Sequence, residues 1–415
     1  MTMTDHTPET LLRPQPLGLF DGPAGLLLIG PGDGTDDVLR SLARGVPPTA
    51  WPAVATAFAA ASVDDTDAAA AALGDDRESV INRLVLSPTP EHLVAAVVAA
   101  ADSLPLRVVV SAAAYASGLS DEPPSPDGVD GEFAVLALTV RAARALEFKD
   151  SRGALRLLRA AVTHAAAVGP VLHARVLGML AEHVHHSQGA NETALELYDE
   201  AIALLVPTEP AELRAGMHLE RGLVAHQLAD TQRHRLVEAS RSYQSALIVL
   251  SEERHPERFA LANMNNAIAI LAMPMTQASD QVRLGVAVQS LRAALRVYRP
   301  ETHAYEWSSS QMNLANALQY LPSKHREENL QEAVELYEEV LAFRSPRSDP
   351  LGYGRVLANQ ANALAHLAVF EHAEAKYREA RELFVRAGDV DAVDVIDRQL
   401  VDAAQYRWPG LLEPS

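Results

Sequence analysis

The chain has no cysteine among its 415 residues, which excludes disulfide scaffolds, thiolate zinc sites, iron–sulfur ligation and thiol nucleophiles together. Lysine is scarce, with only Lys149, Lys324 and Lys376, and acids outnumber bases 54 to 35 for a formal net charge of −19. A nucleic-acid binder needs a basic face to displace counterions, so this balance argues against one. Long apolar runs are missing as well. The most apolar windows, Ala53 to Val63 and Leu93 to Ala101, fall far short of the ~20 residues of a spanning helix. Met1 to Phe20 carries one base, Arg13, and lacks the order of a signal peptide. These absences lead to the expectation of a soluble cytoplasmic protein without a membrane partner.

Catalytic motifs are absent too. There is no G-x-S-x-G, no H-E-x-x-H and no nucleophile–base spacing that defines an active site. Gly30-Pro31-Gly32-Asp33-Gly34 follows an apolar run as phosphate loops do, but it has no Lys-Ser/Thr, and Asp33, Asp36 and Asp37 would repel a phosphate. The acids at Asp64-Asp65-Thr66-Asp67 and Asp75-Asp76 lack calcium-loop spacing. Glu182-His183-x-His185-His186 closes an apolar helix pattern before Gly189, where cationic histidine is favoured without any metal. His218, His226 and His234 read as solvated or groove residues. The expectation is no catalytic residue, no metal and no cofactor.

What is present is alanine, 72 copies, which favours helix because it loses no rotamer entropy on folding. Gly118 to Gly131 (GLSDEPPSPDGVDG) has the composition of a solvated linker, with three prolines, three glycines and four acids. Before it, Leu26–Ile29, Arg83–Leu86 and Arg107–Val110 read as strands, and Pro90–Ser103 as a helix between the last two. Residues 50–73 read as helical. This predicts a small α/β domain over 1–117, of unknown role, a linker over 118–131, helical repeats over 132–403 with residues 391–403 as a capping helix, and a tail over 404–415.

The repeat is a small residue, a large one four on, and a small one three further. It recurs six times: Ala154-Leu158-Ala161, Ala194-Tyr198-Ala201, Ala239-Tyr243-Ala246, Ala287-Leu291-Ala294, Ala333-Tyr337-Val340 and Ala373-Tyr377-Ala380. Positions i, i+4 and i+7 share a helix face, and small residues around a large one let a neighbouring helix come close. Each copy follows another amphipathic segment, so the unit is a helix pair that must stack to bury its stripe.

The pattern resembles the tetratricopeptide repeat (TPR) over the C-terminal two-thirds of the chain. The last copy carries it best, with Leu357, Ala361, Leu364, Ala373, Tyr377 and Ala380 on the family's spacing. The copies here are spaced by 40 to 48 residues, longer than the family's 34-residue unit, with extra residues around Met273–Asp280 and Pro322–Glu328. The resemblance implies an α-solenoid of about six helix pairs whose concave face binds a protein or peptide segment.

Three first helices share a second signature: Asn263-x-x-Asn266, Asn313-x-x-Asn316 and Asn359-x-x-Asn362. Asparagine is a poor helix former, so these pairs are costly. Spacing of three puts both amides on one face, where a carboxamide can either hold the backbone of an extended peptide or bond adjacent helices. By the resemblance, the six asparagines are peptide-binding candidates, with Arg355, His366 and Gln319 as flanking groups that set preference. The expected function is an interaction scaffold or adaptor. Alternatives are an assembly chaperone or accessory factor of a multisubunit enzyme, a peptide-sensing regulator, or an enzyme with its site in residues 1–117.

Overall fold

Local signals start many of the helices. Asp76, Thr89, Ser103, Asp150, Asn191 and Asp349 each accept a hydrogen bond from the backbone N–H three residues on. That satisfies one of the orphan donors at a helix start. Proline follows at the first helical position after Thr89, Gly169, His255 and Asp349, where its missing N–H costs nothing.

The computed structural model describes residues 14–206, 211–274 and 280–407. Among them are nineteen α-helices and no strand. The first six are α1 (Thr35–Ala43), α2 (Thr56–Ala61), α3 (Thr66–Ala71), α4 (Arg77–Leu86), α5 (Pro90–Ala99) and α6 (Leu104–Ala116). Then come α7 (Gly131–Glu147), α8 (Ser151–Val168), α9 (Pro170–Gln188), α10 (Glu192–Leu205), α11 (Ala211–Leu228) and α12 (Arg235–Leu247). The last seven are α13 (Pro256–Ala272), α14 (Asp280–Val297), α15 (Ala304–Tyr320), α16 (Arg326–Phe343), α17 (Pro350–His366), α18 (Phe370–Ala387) and α19 (Val390–Arg407).

The expected α/β domain is corrected to a helical one. Arg83–Leu86 ends α4 and Arg107–Val110 lies inside α6. Val108, Val109 and Val110 are all buried, and a short apolar run buried on every side has no periodicity to separate strand from helix. Of the expected strand Leu26–Ile29, Leu26 ends a 3-10 turn and Leu27 is extended, but residues 27–29 join no sheet. Asn82 instead takes both backbone groups of Leu28, at 2.8 Å each. Gln15 does the same for Ile29, at 3.0 and 3.2 Å. Two buried side-chain amides thus replace a sheet ladder and satisfy the backbone of a buried segment.

Compactness divides the chain at Val224/Ala225 into unit 1 and unit 2. Residues 118–130 are turn and coil, and the helices they join, α6 and α7, share one apolar cluster in unit 1 through Leu106, Val109, Phe133, Leu136 and Ala137. Within unit 1, α7 to α10 pack in chain order as α7/α8 and α9/α10. Within unit 2, α13/α14, α15/α16 and α17/α18 do the same, and α19 packs on α18. All members of the six small–large–small triplets are buried. Each unit is thus all-helical among its described residues and built largely of helices packed in adjacent pairs, consistent with an α-solenoid repeat, and the tail over 404–415 lies mostly outside the described residues. No helix among the described residues is long and apolar enough to cross a membrane.

Candidate binding face

In unit 2 the first helices touch across pairs, α13 with α15 and α15 with α17, and the second helices α14, α16 and α18 do so less. The first helices α13, α15 and α17 therefore make up the candidate face. Their central turns are nearly free of charge in a strongly acidic chain. Residues 259–273 and 307–321 hold no acid or base, and residues 351–365 hold only Arg355.

The six asparagines lie on these helices but do not form one continuous ladder. Asn266 is 1% exposed and bridges three helices: it accepts from Ser240 Oγ of α12 (2.8 Å) and donates to Ser290 Oγ of α14 (3.4 Å). Asn263 is buried too, and its Nδ2 donates to the Phe259 carbonyl four residues back. Asn313 is half-buried and does the same to Ser309. Asn316, Asn359 and Asn362 are half-buried, and one cross-pair link is made, from Asn359 Nδ2 to Asn316 Oδ1 at 3.0 Å.

The second helices hold the remaining contacts. The Tyr337 hydroxyl accepts from Gln319 Nε2 (2.6 Å), so its one proton goes to Asn316 Oδ1 (2.5 Å). The Tyr377 hydroxyl donates to Asn362 Oδ1 (2.6 Å) and lies 3.4 Å from Gln399 Oε1 of α19. Burial raises both phenols, Tyr377 to about 12, with Tyr320 and Asp402 adding to it. Both therefore stay protonated donors at neutral pH. Each hydroxyl thus occupies its asparagine's oxygen, and Asn316 Oδ1 accepts from Asn359 as well. The Nδ2 groups of Asn316 and Asn362 then meet no acceptor among the described residues.

Gln319 is buried behind Asn316 and positions the Tyr337 hydroxyl rather than facing solvent. Arg355 and His366 are exposed on α17. Partial burial and then the Arg326 guanidinium hold the His366 imidazole below its usual range. The accessible set is thus Asn313, Asn316, Asn359, Asn362, Arg355 and His366, while Asn263, Asn266 and Gln319 are built into the packing.

Sequence reasoning took the central tyrosines as packing alone and missed their hydroxyls as partners. No constant spacing marked them: Asn362 precedes Tyr377 by 15 residues and Asn316 precedes Tyr337 by 21, while the Tyr198 hydroxyl meets no partner among the described residues. His226 precedes Tyr243 by 17, and its Nδ1 lies 3.4 Å from that hydroxyl. His183 is buried and bonds the Ser151 carbonyl (3.0 Å), so it belongs to helix packing. In the fourth copy the tyrosine is Leu291, and Asn266 turns to the two serines instead.

Among solved structures the chain is similar to PilW, a widely conserved type IV pilus biogenesis factor. The identity is 14%, the match covers 63% of this chain and 97% of that one, and the TM-score is 0.40. It is also similar to the apo form of RapI, with 13% identity, 85% and 97% coverage and a TM-score of 0.45. No family model and no curated protein matches the chain.

Proposed function

We propose that unit 2 is a protein-interaction module that holds an extended, largely uncharged segment of a protein or peptide partner along α15 and α17. The observation that carries this reading is that both tyrosine-bound carboxamides spend their oxygens on hydroxyls of the second helices, while their Nδ2 groups meet no acceptor among the described residues. Backbone carbonyls are the acceptors such donors suit, and a face without carboxylates does not repel them. Small residues between the amides, Ala358 and Ala365, leave room for a chain to approach. Arg355 and His366 at the edge set the preference for flanking groups.

The informative variant is asparagine to aspartate. It keeps an oxygen for the tyrosine hydroxyl but replaces the Nδ2 donors with an acceptor. Peptides selected from a library on the intact protein should bind the Asn316→Asp/Asn362→Asp variant about tenfold or more weakly, a loss of roughly 1–3 kcal/mol. The alanine pair should instead unfold more easily, since each tyrosine hydroxyl loses its buried acceptor. Unchanged binding by the aspartate variant would remove these amides from the ligand face.

A further inference from the structure

The links between first and second helices give a register that relates unit 1 to unit 2. Lys149, Gly189 and Ala368 are the single left-handed residues of the α7/α8, α9/α10 and α17/α18 links, with φ of 60°, 76° and 60°. Counting back 13 residues from each gives Leu136, Val176 and Arg355; counting back 10 gives Thr139, Met179 and Ala358. On α17 the first of these, Arg355, is exposed. On α7 and α9 the matching Leu136 and Val176 are buried, 7% and 1% exposed.

The chain's own N-terminal loop lies against both, sharing Leu136 with α6. Leu17 packs in one cluster with Leu136, and a Cβ on Gly18 would sit 3.7 Å from Leu172 Cδ1 of α9. Leu17, Gly18 and Phe20 share a cleft of about 200 Å³ with Leu136, Thr139, Val176 and Met179. Polar contacts hold the loop at both ends. Asp21 pairs with Arg175 of α9. Glu132, at the start of α7, accepts the backbone N–H groups of Gln15 (2.6 Å) and Leu17, and the chain turns there, with the Leu19 N–H on the Pro16 carbonyl at 3.2 Å. Both elements that the loop meets are first helices, and Leu136 and Val176 are covered where Arg355 of α17 is open, while at the second position Met179 is exposed and Thr139 and Ala358 are alike half-buried.

We infer that residues 14–22 are a cis occupant of the first-helix face of unit 1. The face would accept a segment of the same chemistry when the loop leaves it: two alternate backbone N–H groups on the Glu132 carboxylate, followed by leucine and an aromatic. This extends the reading of the first-helix face proposed for unit 2 and rests on it. In the resting chain only the unit 2 face is then open to a partner.

The probe is a labelled synthetic peptide of residues 14–22 (PQPLGLFDG), titrated into the full chain. Wild type should bind it weakly. Leu17→Ser, which loosens the loop without touching α7 or α9, should bind at least about tenfold more tightly. Gly18→Val does the same by another route, because valine disfavours the positive φ of 71° found there. Faster exchange of the Gln15 and Leu17 amides verifies that the loop has opened. Adding Met179→Arg on the exposed edge of α9 should abolish the gain. An opened loop with no gain in peptide binding overturns the proposal. So does global unfolding of both loosened variants, which would make the loop an inseparable part of the core. None of these substitutions touches Asn316 or Asn362, so failure here and failure of the unit 2 reading are told apart.

Discussion

Glu132 is a carboxylate in an apolar cluster, 5% exposed, with Oε2 meeting no hydrogen-bond partner. Burial raises its carboxyl from the ordinary 4.5 to about 8, against the pull of the Gln15 and Leu17 N–H groups, and no charged neighbour enters among the causes. The folded protein therefore holds this proton more tightly than the unfolded chain. The stability it contributes is complete below pH 4.5 and is lost as pH rises through about 8. Thermal midpoints between pH 5.5 and 8.5 should fall more steeply for wild type than for Glu132→Gln, which cannot ionise; parallel slopes would show that the carboxyl titrates normally. Nothing in the sequence marked Glu132, because a lone Glu one turn into a helix is usually solvated. The asparagines were legible, because repeated poor helix formers need a reason. Which of their atoms stay unpaired was not, since that depends on hydroxyls of another helix.

At the scale of elements, the helix-pair links show which part of the repeat the chemistry of single residues decides. Gly189 adopts its positive φ without strain, whereas Lys149 and Ala368 do so with a Cβ that crowds the following carbonyl. Ala368→Gly should therefore raise stability by about 0.5–1 kcal/mol, and Gly189→Ala, at φ 76° and ψ 179° where glycine alone is at ease, should lower it by about 1–3 kcal/mol, both read from urea midpoints at constant slope. Opposite signs would mean that the backbone shifts to suit the side chain. The pairs themselves were readable in the sequence, because alanines around one large residue recur where close packing demands them, and all six triplets are buried. The N-terminal elements were misread for an equally physical reason. Leu27–Ile29 has the composition of a strand, but its partners are Gln15 and Asn82, 14 and 54 residues away, which no local pattern announces.

On the scale of the whole molecule, the Pro, Gly and acid content of 118–131 suggested a boundary between independent parts. That composition describes a solvated turn equally well. The segment has two apolar residues, Leu119 and Val129, and both pack against the cluster that α6 and α7 share. Leu106, Val109 and Ala113 meet Phe133, Leu136 and Ala137 there, and fully burying each of the larger side chains stabilises the contact by about 1.5–3 kcal/mol. Backbone continuity is thus not what keeps α6 on α7. A protease should still find Asp121, Glu122, Asp127 and Gly128, which are exposed in coil. The expected result of limited proteolysis is a nick within 118–131 whose two products elute together in gel filtration and part only in denaturant. An N-terminal product that elutes alone and stays folded would make residues 1–117 a separate domain. Early cuts inside residues 150–206 instead would mean that the helix pairs of unit 1, not this turn, are its least stable part.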